Sequence, residues 1–342
     1  MAGRILELKN LKTSFFTQAG EVEAVRGISF HVDKGEAIGI VGESGSGKSV
    51  TALSIMKLLQ APGKITGGQV LFKGNDLVKK KDREMKNIRG NEMSIIFQDS
   101  TMSLNPVFTV GNQVMETILN HQKISKEKAK VKAIEILRLV GITSAEKRLN
   151  HYPHEFSGGM RQRVIIGMAL SCEPDLLLAD EPTTALDSTI QAQILELMRD
   201  LKDRWDTSIL LITHNLGIAA DFCSRIVVMY NGLIMEEGPV EKIFFNSKHP
   251  YTRGLIESIP GVIPKGHKRR LASIEGTPPD SLNPPIGCPF MPRCDYAMKI
   301  CKLKEPPYFR VGTYHRSMCW LLHKDAPKTA PWVNRGYYSN DR

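Results

Sequence analysis

Gly42-Glu43-Ser44-Gly45-Ser46-Gly47-Lys48-Ser49 follows the apolar run Ala37-Ile38-Gly39-Ile40-Val41 and precedes a segment of helical character from Val50 to Leu59. Strand, phosphate loop and helix in that order predict an α/β fold of the P-loop NTPase kind. Glycines let such a loop wrap a polyphosphate with its N–H groups turned inward, so Gly42, Ser44, Gly45, Ser46 and Gly47 are expected to line the phosphates. Lys48 would reach the β- and γ-phosphates, and the Ser49 hydroxyl suits a Mg²⁺ ligand. The expectation is a chain that binds a nucleoside triphosphate with Mg²⁺.

A second segment, Leu176-Leu177-Leu178-Ala179-Asp180-Glu181, reads as a short buried strand ending in two carboxylates. That end of a strand is where α/β sheets place catalytic groups. Asp180 is expected to hold Mg²⁺, directly or through water, and Glu181 to accept a proton from the attacking water. Between the two elements lies Phe156-Ser157-Gly158-Gly159-Met160-Arg161-Gln162-Arg163, followed by a helix-like run from Val164 to Leu170. Ser157, Gly158 and Gly159 opening a helix would offer free N–H groups and the positive end of its dipole to a further anion.

Those eight residues resemble the signature sequence of ATP-binding-cassette (ABC) proteins, in which this helix caps the γ-phosphate of ATP held by another subunit. Further marks of that family stand in its order. Gln98, after the strand-like Met93-Ser94-Ile95-Ile96-Phe97, resembles the glutamine that touches Mg²⁺ and the attacking water. Ala185-Leu186-Asp187 resembles the loop coupling two active sites, and His214, after Ile209-Leu210-Leu211-Ile212-Thr213, the histidine at the γ-phosphate. Phe15 sits where the family stacks an aromatic ring on adenine, with Phe16 as the alternative. The chain departs from the usual signature at Phe156 and Met160, where the family most often has Leu and Gln. The resemblance implies an ABC-type nucleotide-binding domain over residues 1–250, with a helical subdomain inserted at about residues 98–165. It also implies two ATP molecules held between two head-to-tail domains.

All members share this machinery, so substrate must be sought elsewhere. Asn246-Ser247-Lys248-His249-Pro250-Tyr251-Thr252-Arg253-Gly254-Leu255 resembles the opening of the C-terminal extension of oligopeptide and dipeptide importer ATPases, and Gln98 to Pro106 is similar to the same branch. Nickel and glutathione importers share that extension, here residues 251–342. The implied activity is ATP hydrolysis driving import of di- or oligopeptides. The implied partners are a homologous ABC ATPase subunit, two transmembrane permease subunits and an extracytoplasmic peptide-binding protein. No apolar run approaches the ~18 residues needed to span a bilayer, and Met1 to Glu7 lacks the features of a signal peptide. A peripheral location on the cytoplasmic face of the membrane is therefore expected.

The net charge of +10 is uneven: Val262 to Arg342 carries fourteen Lys/Arg against six Asp/Glu. Twelve of the nineteen prolines also lie between Pro260 and Pro331, which predicts a loop-rich tail. A basic tail on an ATPase would also suit a relative that acts on nucleic acid, but such relatives carry a long coiled coil or insertion that this chain lacks, so no nucleic-acid partner is expected. Cys288, Cys294, Cys301 and Cys319 are spaced C-x5-C-x6-C-x17-C. Spacing alone leaves an iron–sulfur cluster, zinc and free thiols open. Resemblance to the cysteine-bearing tail of peptide-importer ATPases implies a [4Fe–4S] cluster on these four. Cys172 and Cys223 read as small core residues.

Overall fold

Continuous apolar strands need cover on both faces, whereas alternating ones need it on only one, and this chain has both. A computed structural model describes residues 3–98, 103–184, 186–259, 274–327 and 330. Asp99 to Met102, Ala185 and residues 260–273, 328–329 and 331–342 of the basic tail lie outside the described residues. In chain order the described strands are β1 (Arg4–Thr17), β2 (Gly20–Asp33), β3 (Ala37–Val41), β4 (Gly63–Phe72), β5 (Asn75–Asp76), β6 (Met93–Ile96), β7 (Leu176–Asp180), β8 (Ser208–Thr213), β9 (Arg225–Tyr230), β10 (Leu233–Pro239), β11 (Phe309–Gly312) and β12 (His315–Ser317). Every residue of β3, β7, β8 and β9 is buried, as their unbroken apolar runs require. Burial alternates along most of β4 (Gly63–Phe72), whose Leu71 and Phe72 pair antiparallel with β5.

The chain divides into two compact units, interleaved in sequence. The first comprises the described residues within Met1–Leu6, His31–Ala37 and Leu71–Ile212; the second those within Glu7–Phe30, Ile38–Val70 and Thr213–Arg342. In the first unit β6, β7 and β8 run parallel, with Ile95 opposite Leu178 and Leu178 opposite Leu210. Parallel neighbours need long crossovers, and here these are helical. The helices Val110–His121, Lys126–Leu139 and Gly158–Leu170 occupy the span between β6 and β7. They pack closely enough that a Cβ on Gly167 would lie 2.9 Å from Ile136. The helix Ser188–Trp205 joins β7 to β8 and buries Ile194, Leu195, Leu197, Met198 and Leu201 along one stripe. No helix among the described residues is long and apolar enough to cross a membrane.

In the second unit β3 pairs parallel with β9, β9 antiparallel with β10, and β10 antiparallel with β12, which in turn pairs with β11. The segment beyond residue 250 is thus built into the unit as added strands. One apolar core contains Val41, Val228 and Tyr230 together with Tyr251, Cys288, Phe290, Cys301 and Met318. Buried charges set the register of the β10/β12 pair. Glu236, fully buried, accepts the backbone N–H groups of Lys248 and His249 at 2.6 and 3.0 Å, and its carboxylate lies 2.7 Å from Nε2 of His315. Glu237 accepts from Arg225 at 2.5 Å and Arg316 at 2.8 Å.

This construction corrects the expectation of a [4Fe–4S] cluster. Among the described residues no group of three or more His, Cys, Asp or Glu side chains is arranged to hold a metal ion. Cys288, Cys294, Cys301 and Cys319 are free thiols. Cys288 and Cys301 fill the core that contains Val41, whereas Cys319 belongs to a second cluster with Phe309, Leu321 and Leu322. Burial raises the Cys288 and Cys294 thiols to about 12 and about 11 and pushes Cys319 well above its ordinary value. The described part of the proline-rich segment is held by shared core, strand pairing and buried ion pairs. Cys223 is buried as expected; Cys172 is only partly so.

Candidate functional site

The phosphate loop lies in the second unit, where the end of β3 turns into the helix Lys48–Ile55. Two glycines make the turn possible by close approach. A Cβ on Gly42 would lie 2.1 Å from the Met229 carbonyl, and one on Gly47, at φ 100°, would lie 2.4 Å from the Ala24 carbonyl. Only glycine tolerates such crowding. The helix starts at Lys48, two residues before the sequence pattern suggests, because Gly47 is its left-handed N-cap. Lys48 is 6% exposed, and its ammonium donates to the carbonyls of Gly42 and Glu43, both at 2.9 Å, and to the Ser46 hydroxyl at 3.4 Å. The positive charge is thereby held inside the loop, beside the backbone N–H groups of the helix start, an arrangement that attracts polyphosphate.

Phe15 and His214 belong to the same unit. Phe15 is half-buried and packs where a Cβ on Gly63 would come within 2.7 Å of its ring. Phe16 is 46% exposed, with the Lys64 ammonium 5.9 Å from its ring centre. His214 is exposed just after β8, and Asn215 caps the following helix by accepting the N–H groups of Gly217 and Ile218.

The remaining expected site residues belong to the first unit. Asp180, 6% exposed, closes β7. Glu181 follows with a left-handed backbone, φ 47°, and its N–H donates to the Ile212 carbonyl at 2.8 Å. A non-glycine residue held there costs of order 1–3 kcal/mol, and such strain concentrates at functional positions. The Gln98 amide donates to the Glu181 carboxylate at 3.1 Å, across 83 residues of sequence. The same oxygen accepts the Thr184 hydroxyl at 2.8 Å. Thr184 escapes the sequence reading, although the Pro-Thr-Thr that follows the two carboxylates is the signal that could have found it.

Ser157 caps the helix Gly158–Leu170, its Oγ accepting the Met160 N–H at 3.3 Å, and Ser157 and Gly158 are exposed. The two departures in this motif have partners: Phe156 is buried beneath the Arg148 guanidinium, 5.7 Å from its ring centre, and Arg148 also reaches the Met160 sulfur at 3.8 Å. Gly159 faces Ile190, which a Cβ would approach to 2.9 Å. Asp187 caps the helix Ser188–Trp205 by accepting the N–H groups of Thr189 and Ile190.

Comparison with known proteins agrees with this geometry. A family model described as "ABC transporter" matches residues 25–184, and one described as "Oligopeptide/dipeptide transporter, C-terminal region" matches residues 235–301. The chain is similar to the oligopeptide transport ATP-binding protein OppD of Bacillus subtilis (strain 168), 56% identical over 329 residues, which span 96% of this chain and 92% of that protein. It is 50% identical over 332 residues to the dipeptide transport ATP-binding protein DppD of Lactococcus lactis subsp. cremoris (strain MG1363), spanning 97% and 95%. Among solved structures, the dimeric ATP-binding cassette MJ0796 in a post-hydrolysis state bound to ADP and Pi is similar with a TM-score of 0.62 and 29% identity, covering 69% of this chain and 98% of that one. The cbiO1 subunit of the Clostridium perfringens ABC transporter complex cbiONQ gives a TM-score of 0.61 at 25% identity, covering 71% and 91%. Identity of this order over nearly the whole length places the chain among the ATP-binding ABC subunits of the oligopeptide/dipeptide importer family.

Proposed function

We propose that this chain hydrolyses ATP to drive import of short peptides, and that Glu181 is the base that activates water. The observation that carries this reading is the Gln98 amide held 3.1 Å from the Glu181 carboxylate, with the Thr184 hydroxyl on the same oxygen. Two fixed donors orient the carboxylate for accepting a proton from water. Lys48 and the N–H groups of Gly42 to Ser49 bind the phosphates, Phe15 stacks on adenine, and His214 meets the γ-phosphate. Ser49, Gln98 and Asp180 supply hard oxygen donors of the kind Mg²⁺ prefers. Mg²⁺, when bound, neutralises charge developing on the phosphates. Ser157, Gly158 and Gly159 serve the ATP of a homologous partner subunit. The dimeric cassette to which this chain is similar supports that arrangement.

In functional terms residues 1–250 form the cassette, with residues 98–165 as its helical subdomain, and residues 251–342 form the extension. The chain works at the cytoplasmic face of the membrane with a homologous ATPase, two permease subunits and an extracytoplasmic peptide-binding protein. Peptide as the cargo is supported by the relatives, which are named for oligopeptide and dipeptide transport. The test is reconstitution: vesicles containing this chain, its partner ATPase and the two permeases should take up labelled short peptides only with ATP and the binding protein present. Uptake of nickel or glutathione in place of peptides would reassign the cargo.

A further inference from the structure

Glu43, the second residue of the phosphate loop, is held by the segment beyond residue 250. Its N–H donates to the Tyr251 hydroxyl at 2.9 Å. Its carboxylate accepts both ends of the Arg293 guanidinium, at 2.7 and 3.1 Å. Both anchors are themselves fixed. Tyr251 is fully buried, 4.7 Å from the Tyr230 ring and 5.3 Å from the Phe290 ring. The Arg293 side chain is 5% exposed, donates to the carbonyls of Glu275 and Ile274 at 2.9 and 3.1 Å, and reaches the Tyr230 hydroxyl at 3.2 Å. A planar guanidinium held at this many points gives its carboxylate partner one orientation. The Glu43 carbonyl, meanwhile, accepts the Lys48 ammonium at 2.9 Å.

We propose that Tyr251 and Arg293 are positioning residues of the ATP site: through Glu43 they pre-set the phosphate loop and neutralise a carboxylate that would otherwise repel the polyphosphate. The extension is then a working part of nucleotide binding, whatever else it does. Two effects combine. Geometrically, the Tyr251 hydroxyl fixes the first half of the loop, so less conformational freedom is lost when ATP binds. Electrostatically, Arg293 offsets a negative charge located one residue from Gly42 in a loop built to attract phosphate. Because Glu43 is harmful only when bare, removing Arg293 should cost more than removing the Glu43 charge, and removing both should undo much of the damage.

The proposal rests on reading Gly42 to Ser49 as the ATP phosphate loop, and the experiment separates the two. Mg-ATP affinity of the purified full-length chain is measured by titration with a fluorescent ATP analogue for Arg293→Met, Glu43→Gln, the double variant, Tyr251→Phe and Lys48→Ala. Arg293→Met should weaken binding about tenfold, the size expected of one lost charged hydrogen bond. Tyr251→Phe should weaken it about threefold, toward the lower end for a neutral bond. Adding Glu43→Gln to Arg293→Met should recover most of the loss, a rescue that simple loosening of the extension would not produce. If Arg293→Met and Tyr251→Phe bind within twofold of the parent while Lys48→Ala fails to bind, the positioning role is wrong and the phosphate loop stands. If Lys48→Ala binds normally, the phosphate-loop reading falls and takes the proposal with it. Should Arg293→Met fail to fold, Tyr251→Phe, which removes a single oxygen, decides: unchanged affinity there overturns the proposal.

Discussion

Lys48 and Cys288 are buried to nearly the same degree, 6% and 7% exposed, but they depend on different distances along the chain. The Lys48 ammonium donates to the Gly42 and Glu43 carbonyls and the Ser46 hydroxyl, all within six residues. The Cys288 thiol lies in a core assembled from Val41, the β9 and β10 strands, Tyr251 and Met318. Contacts made within a few residues can be read from a motif's spacing. Where side chains must converge from separate segments, residue spacing says little about what the side chains meet.

The sharpest test of the nucleotide-binding half is Glu181→Gln. It should lower ATP turnover in the assembled transporter by about 10²–10⁴, the usual cost of losing a general base, while Mg-ATP still binds. Near-parental turnover would remove Glu181 from the role, leaving its strained backbone unexplained. In the other half, the strongest expected effect lies away from the cysteines. Glu236→Ala would strand the N–H groups of Lys248 and His249 and leave His315 buried without its carboxylate. A loss of about 3–5 kcal/mol in unfolding free energy is expected, as for breaking a buried charged network from one side. A loss under about 1 kcal/mol, the range of a surface pair, would mean that strand pairing alone holds the extension.

A smaller effect concerns pH. His249 accepts the Tyr251 N–H at 3.0 Å, and burial pushes its imidazole down from 6.5 to about 3. The folded chain keeps this ring neutral where the unfolded chain protonates it. Its contribution to stability is therefore complete above pH 6.5 and is lost progressively as pH falls toward 3. Within that window it should steepen the pH dependence by about 1.4 kcal/mol per pH unit. His249→Asn, which preserves a helix-capping side chain, should flatten the slope of unfolding free energy between pH 6 and 4 by roughly that amount. An unchanged slope would show that the imidazole is not kept neutral by its surroundings.

The same division by distance explains what the sequence made legible. β3 spans the expected Ala37 to Val41, and β7 runs from Leu176 to Asp180, because unbroken apolar runs between turn residues leave little alternative. The helix after the phosphate loop ends at Ile55, short of the expected Leu59, because Lys57 adopts a left-handed backbone at φ 49° that apolar periodicity does not reveal. Gln98 could be linked to the ATP site by its place in a series of motifs, yet its bond to Glu181 joins positions too far apart for any spacing rule. His249-Pro250-Tyr251 is legible as a helix start, with proline at the first turn. Its other work, supplying a backbone donor to Glu236 and a hydroxyl to Glu43, is invisible until β10 and the phosphate loop are placed beside it. The cysteines misled because spacing left their partners open and resemblance to a cysteine-bearing tail implied a common ligand, whereas folding distributes them between two apolar clusters.

The pairing of Glu43 with Arg293 spans 250 residues, and this has a consequence for the newborn chain. At translation rates of about 5–20 residues per second, the phosphate loop leaves the ribosome roughly 10–50 s before its last anchor is made. Over that interval β3, fully apolar, also lacks β9, its parallel neighbour in the second unit. Chaperone holding of the early segments is the natural guard against aggregation during this wait. On the proposed positioning role, full ATP affinity is then among the last properties the polypeptide acquires, and a fragment released before residue 293 carries a phosphate loop without that anchor.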